Sequence, residues 1–268
     1  MHNLNNYKKS KTGFGKLIKS SNETASKRKQ RDIANEKKAL GLMNEGKFDE
    51  AEKIYRGLIS QGTKNHNVYN HLGIISGLKG NTIEKVQLLQ KALELQPTDH
   101  RSLNNLGNAL NSQGDHDQAI ELYRKALDLK PNYSNALAGI GNAYTAKGNI
   151  NSAIISYKKA LKVNPNYAEV FNNLGSAIYQ KGDIHKAIES YQKALELKPN
   201  FPEALNNLGA AFYELGDLKI AIETLKKALQ LKPMYSEARF NLSRVELLIG
   251  DYKNGWNNYE SRWEKANP

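Results

Sequence analysis

Hydrophobic positions in residues 100–133 recur three to four residues apart, at Leu103, Leu106 and Leu110, with polar residues between them. That spacing predicts an amphipathic helix with one apolar face. A polar break follows at Gly114, a residue that tolerates the positive φ of a helix end. A second helix is predicted from about Asp117 to Leu129. Ala119 and Ala126 lie on one of its faces, and Ile120, Tyr123 and Leu127 fill the space beside them. Pro131 lacks an amide hydrogen and disfavours helix in the residue before it, so it closes the pair. Asp115, His116 and Asp117 fall in the turn, where they are expected to cap the second helix rather than hold a metal.

The pattern returns every 34 residues. Pro97, Pro131, Pro165, Pro199 and Pro233 keep the step, as do Gly80, Gly114, Gly148, Gly182 and Gly216, with Gly46 and Gly250 in phase. Gly73, Gly107, Gly141, Gly175 and Gly209 form another series, expected to let a neighbouring helix approach closely. One such helix pair cannot bury its apolar face alone, so the units must stack. Seven units follow: 32–65, 66–99, 100–133, 134–167, 168–201, 202–235 and the altered 236–268. The first lacks the closing Pro, and the second has Lys85 where the others have Ala.

The stretch NNLGNALNSQGDHDQAIELYRKALDLKP, residues 104–131, resembles the tetratricopeptide consensus, and the likeness extends over residues 32–267. The resemblance implies an all-α fold, a right-handed α-α superhelix of about seven 34-residue helix-turn-helix repeats. It also implies that first helices line a concave groove for peptides or partner domains.

First-helix positions are rich in Asn. Asn105, Asn173, Asn207 and Asn241 share one position, Asn70, Asn104, Asn172 and Asn206 the one before it, and Asn108 and Asn142 lie one turn along. Asn is a poor helix former, so its repetition in mid-helix calls for a reason. Its amide both donates and accepts, which suits the backbone of an extended peptide. These ten residues, with Tyr179 and Tyr213, are the candidate peptide-binding groove. Replacing Asn105, Asn173 and Asn207 by Ala is expected to leave stability unchanged or slightly higher. The series resembles the asparagine ladder of O-GlcNAc transferase repeats, and that likeness implies an alternative role as a recognition subunit, or truncated relative, of a protein glycosyltransferase. Glu169, Glu203 and Glu237 repeat at the groove mouth and are expected to favour basic ligands. Arg101 and Arg244 are too far apart in sequence to form a carboxylate clamp.

In the last unit Tyr252, Trp256, Tyr259 and Trp263 follow at helical steps, a stripe that either covers the end of the stack or docks a partner.

Charge and composition refine this picture. The chain of 268 residues has a net charge of +12, but residues 1–31 hold nine Lys or Arg against one Glu. This basic tail is expected to be disordered, and nucleic acid or an anionic surface is expected as a partner only through it. There is no Cys, hence no disulfide or thiol nucleophile, which suits a cytoplasmic location. No stretch is long and apolar enough to span a membrane. No catalytic motif, metal-ligand spacing or cofactor fingerprint stands out, so the chain is expected to be a non-enzymatic scaffold without cofactor.

Overall fold

The computed structural model describes residues 26–27 and 29–260. The basic segment 1–31 therefore lies almost wholly outside the described residues, as does Trp263. The described chain is all-α, without a strand. It contains α1 (29–44), α2 (Phe48–Ser60), α3 (His66–Leu78), α4 (Thr82–Leu95) and α5 (His100–Gln113). There follow α6 (His116–Leu129), α7 (Ser134–Ala146), α8 (Ile150–Val163), α9 (Ala168–Gln180) and α10 (Ile184–Leu197). The last four are α11 (Pro202–Leu215), α12 (Leu218–Leu231), α13 (Ser236–Leu248) and α14 (Tyr252–Tyr259). Gly46, Gly80, Gly114, Gly148, Gly182, Gly216 and Gly250 all have positive φ, so each helix pair turns at the glycine that the period predicts.

The chain forms two compact units, Met1–Leu106 and Gly107–Pro268. In the first, Ala39, Ala51, Tyr55, Leu58, Val68, Leu72 and Ile75 make the core. The missing proline of the first repeat is replaced by Gly62, whose positive φ ends α2. Lys85, the departure in the second repeat, is accommodated by Gly77. A Cβ on Gly77 would sit 2.7 Å from Lys85 Cδ, so the bare glycine makes room for the lysine stem.

In the second unit each helix packs on the next, from α6 on α7 through α13 on α14. The odd-numbered helices also touch one another, α7 with α9, α9 with α11 and α11 with α13. They therefore form an inner layer, and the even-numbered helices an outer one. The first-helix glycines make room for a side chain of the next helix, and at Gly175 and Gly209 also for its backbone, where a Cβ would lie 3.2 Å from the Ala187 carbonyl and 3.4 Å from that of Ala221. A Cβ on Gly141 would meet the Tyr157 ring at 2.4 Å, and one on Gly107 would meet the Tyr123 ring at 2.7 Å. Asp183 caps α10 by accepting from the Lys186 amide. Asp115 stands at the same position before α6 but makes no capping bond, contrary to expectation; in that turn His116 bonds Asn111 at 2.7 Å instead.

Candidate functional site

The two adjacent asparagine series point to different surroundings. Asn70, Asn104, Asn172 and Asn206 are buried. Asn105, Asn173, Asn207 and Asn241 are partly exposed, and each reaches to the preceding repeat. Asn207 Nδ2 donates to Asn172 Oδ1 at 3.0 Å and to Ser176 Oγ at 3.3 Å. Asn241 donates to Asn206 Oδ1 at 2.9 Å, and Asn173 to Asn142 Oδ1 at 3.0 Å. In the first unit Asn105 donates to Asn70 Oδ1 at 3.0 Å. Asn70 in turn donates to Ser102, whose hydroxyl donates to Asp99 at 2.6 Å. Burial pushes the Asp99 carboxyl up, but the Ser102 hydroxyl and the Ser102 and Arg101 amides outweigh it and hold that carboxyl below its usual range.

Asn70, Asn172 and Asn206 thus serve the stack rather than a guest, whereas the buried Asn104 Oδ1 accepts no hydrogen bond. This also corrects the expected stability effect. An Ala at Asn105 or Asn207 would strand a buried amide oxygen, and an unsatisfied buried acceptor costs about 1–3 kcal/mol. The partly exposed amides have two N–H groups each. One goes to the preceding repeat, and the other remains for a ligand, save that at Asn207 the longer bond to Ser176 competes for it.

Asn108 and Asn142 are exposed on the inner layer and accept from buried tyrosines. Tyr123 Oη donates to Asn108 Oδ1 at 2.7 Å, and Tyr157 Oη to Asn142 Oδ1 at 2.8 Å. One repeat on, Tyr191 Oη donates to Ser176 at 3.3 Å. In the next repeat Leu225 replaces the tyrosine and Ala210 replaces the acceptor. In the second unit a polar residue stands at this inner position in each repeat that carries the tyrosine, whereas Tyr55 of the first unit, with Leu40 at that position, bonds His71 at 3.1 Å instead. Sequence reasoning missed Ser176, although its 34-residue step from Asn142 signals it.

Tyr179 and Tyr213 are half-buried beside Phe212. Arg244 lies over the Tyr213 ring at 4.4 Å and faces Glu214 at 3.5 Å. Tyr144 and Phe212 pack against core clusters, as their helical spacing suggests. Glu169 pairs with Lys198 at 2.9 Å and Glu203 with Lys232 at 3.2 Å, so neither offers the free negative charge expected at the mouth.

The terminal stripe is divided. Tyr252 and Trp256 are 64% and 56% exposed, whereas Tyr259 stacks on Phe240 at 5.8 Å and meets the Trp256 edge at 5.5 Å. Gly255 faces inward, where a Cβ would strike Leu247 Cγ at 2.7 Å. Among the described residues no three His, Asp or Glu converge as a metal site, and no helix is long and apolar enough to cross a membrane.

A tetratricopeptide-repeat model matches residues 100–133 and 202–235, and a second TPR-repeat model matches 141–182 and 175–216. No curated protein sequence matches the chain. Among solved structures it is similar to a chain of the APC/C hetero-tetramer Cut9-Hcn1, 21% identical with a TM-score of 0.77. That similarity covers 86% of this chain but only 46% of the Cut9-Hcn1 chain. A thermophilic TPR protein of Thermus thermophilus is 25% identical with a TM-score of 0.60, over 68% of this chain and 99% of that one. YrrB, a TPR protein with an unusual peptide-binding site, is 23% identical with a TM-score of 0.52, over 67% of this chain and 92% of its own. Residues 100–133 and 141–235 thus carry tetratricopeptide repeats, in step with the 34-residue period and the helix pairs.

Proposed function

We propose that this chain is a protein-protein interaction scaffold whose inner layer binds extended peptide segments. The observation that carries the reading is the row of partly exposed amides in the second unit at Asn173, Asn207 and Asn241, each with one N–H committed to the stack. Backbone carbonyls of a peptide can accept the second. Recognition of this kind is indifferent to peptide sequence, and Tyr179, Tyr213 and Arg244 supply apolar and cationic contacts at one end. The peptide-binding site of YrrB supports the reading by analogy of fold.

Peptides selected from a display library against the purified chain provide the test, with affinity read by fluorescence anisotropy. Two lost hydrogen bonds at roughly 0.5–1.5 kcal/mol each predict a complex at least about fivefold weaker for the Asn173→Ala, Asn207→Ala double variant. Asn173→Ala alone, which strands no buried acceptor and removes only the 3.4 Å bond from the Asn172 amide, should weaken binding severalfold with little change in the melting temperature. Unaltered affinity in both variants would leave the amides a purely structural role. The alternative, a recognition subunit of a protein glycosyltransferase, rests on the asparagine pattern and the terminal aromatics; co-purification of a transferase would establish it.

A further inference from the structure

The fourth repeat breaks the charge pattern of its neighbours. From residue 129 to residue 168 there is no Asp or Glu, while Lys130, Lys147, Lys158, Lys159 and Lys162 fall within that span. Lys147 is paired with Asp117, and Lys130 lies over the Tyr133 ring. Lys158, Lys159 and Lys162 are exposed on α8 and make no ion pair among the described residues.

Comparison at the 34-residue step shows what has changed. The position of Ile155 is Glu121, Glu189 and Glu223 in the third, fifth and sixth repeats, and that of Lys162 is Asp128 in one neighbour and Glu196 in the next. In α10 Lys193 pairs with Glu196 three residues on, at 2.5 Å. In α8 the equivalent pair is Lys159 with Lys162, two like charges on adjacent turns, which weakens the helix it sits on. Ile155, one turn before Lys158 and Lys159, is 56% exposed. A local rule broken with no gain inside the fold marks a functional surface.

Beside these lysines lies a groove of about 490 Å³ lined by Pro131, Asn132, Leu137, Lys159, Lys162 and Val163. Its walls are apolar at Pro131, Leu137 and Val163, and cationic at the two lysines. We propose that the outer face of α8 is a docking site for an acidic peptide segment of a partner protein, one that carries apolar side chains among its carboxylates. The carboxylates would meet Lys158, Lys159 and Lys162, and the apolar residues would cover Ile155 and enter the groove. Nucleic acid fits less well. The equivalent positions in the repeats before and after carry Glu121 and Asp128 on α6 and Glu189 and Glu196 on α10, so a long polyanion reaching past α8 onto those repeats would meet like charge. The site is independent of the inner layer.

The test uses the full chain and a fluorescein-labelled peptide of glutamates interspersed with leucines. The variant Lys158→Gln, Lys159→Gln, Lys162→Gln removes the charge at exposed positions, and Lys219→Gln, Lys226→Gln, Lys227→Gln on α12 removes as much charge elsewhere. Affinity should fall about tenfold in the α8 variant and less than twofold in the α12 variant, because short-range pairing and not net charge holds the peptide. Equal losses in the two variants, no binding to the unmodified chain, or tighter binding of an oligo-dT strand of the same charge would each overturn the proposal. A peptide bound with unchanged affinity by the Asn173→Ala, Asn207→Ala variant but not by the α8 variant separates this site from the inner face.

Discussion

Asn172 and Asn173 are separated by about 100° around their helix, and this rotation gives each a different task. Asn172 is buried and accepts from Asn207, whereas Asn173 is partly exposed and donates to the exposed Asn142. Asn207→Ala should therefore destabilise by about 1–3 kcal/mol, because it strands the Asn172 oxygen away from water. Asn173→Ala should cost less, under about 1 kcal/mol, since water replaces it at Asn142, Ala is the better helix former, and the only bond lost from a buried group is the 3.4 Å one from the Asn172 amide. Urea melts of the two variants measure the difference, and equal losses would contradict the assignment. The sequence displayed both asparagine series and their step. It did not display which series faces inward, because that depends on how one repeat is rotated against the next.

Between elements, the glycine series meets a different neighbour from one repeat to another. A Cβ on Gly141 would lie 2.4 Å from the Tyr157 ring, while one on Gly73 would lie 3.2 Å from Leu89 Cγ. Tyr157 is held at both ends, buried in the core and hydrogen-bonded to Asn142, so it has no room to retreat. Gly141→Ala should cost about 1–3 kcal/mol by overpacking. Gly73→Ala should fall within about 1 kcal/mol of neutral, because the helix propensity of Ala offsets a smaller displacement. Thermal melts would show the ranking, and a greater loss at Gly73 would refute it. The period announced that small residues were needed here. Only the packing shows that they receive tyrosine rings, since the partner lies on the following helix. The Gly77 and Lys85 pair was equally hidden: each looks like an isolated departure until the two are seen in contact.

At the scale of the molecule, the helix pairs and their glycine turns were legible because several residue series repeat one step, and each series answers a separate physical need. The paired fate of Glu169 and Glu203 was not, because their lysine partners lie 29 residues away in the following turn. Repetition also concentrates one kind of chemistry. Burial pushes the phenols of Tyr191 and Tyr235 up to about 12 and raises those of Tyr55, Tyr123 and Tyr157 as well. An unfolded tyrosine titrates near 10, so above that pH the unfolded chain loses protons that the folded chain keeps. Stability from these groups is complete below pH 10 and is lost as pH climbs towards 12. The melting temperature should drop on the order of 5 °C between pH 9 and pH 11, with the share of phenolate absorbance due to the buried rings appearing only on unfolding. Ionisation of all the tyrosines in the folded chain at pH 10 would contradict the burial of these five rings.

The amide bonds between repeats have a consequence for how such a chain can change length. Asn207 occupies the same place in its repeat as Asn173, which donates to Asn142. Excising residues 168–201 would bring Asn207 to Asn142, and the row of donors would close over the gap with its hydrogen bonds intact. A gene encoding this chain can thus drop or duplicate a cassette and still yield a folded product, so reach becomes a heritable variable separable from affinity.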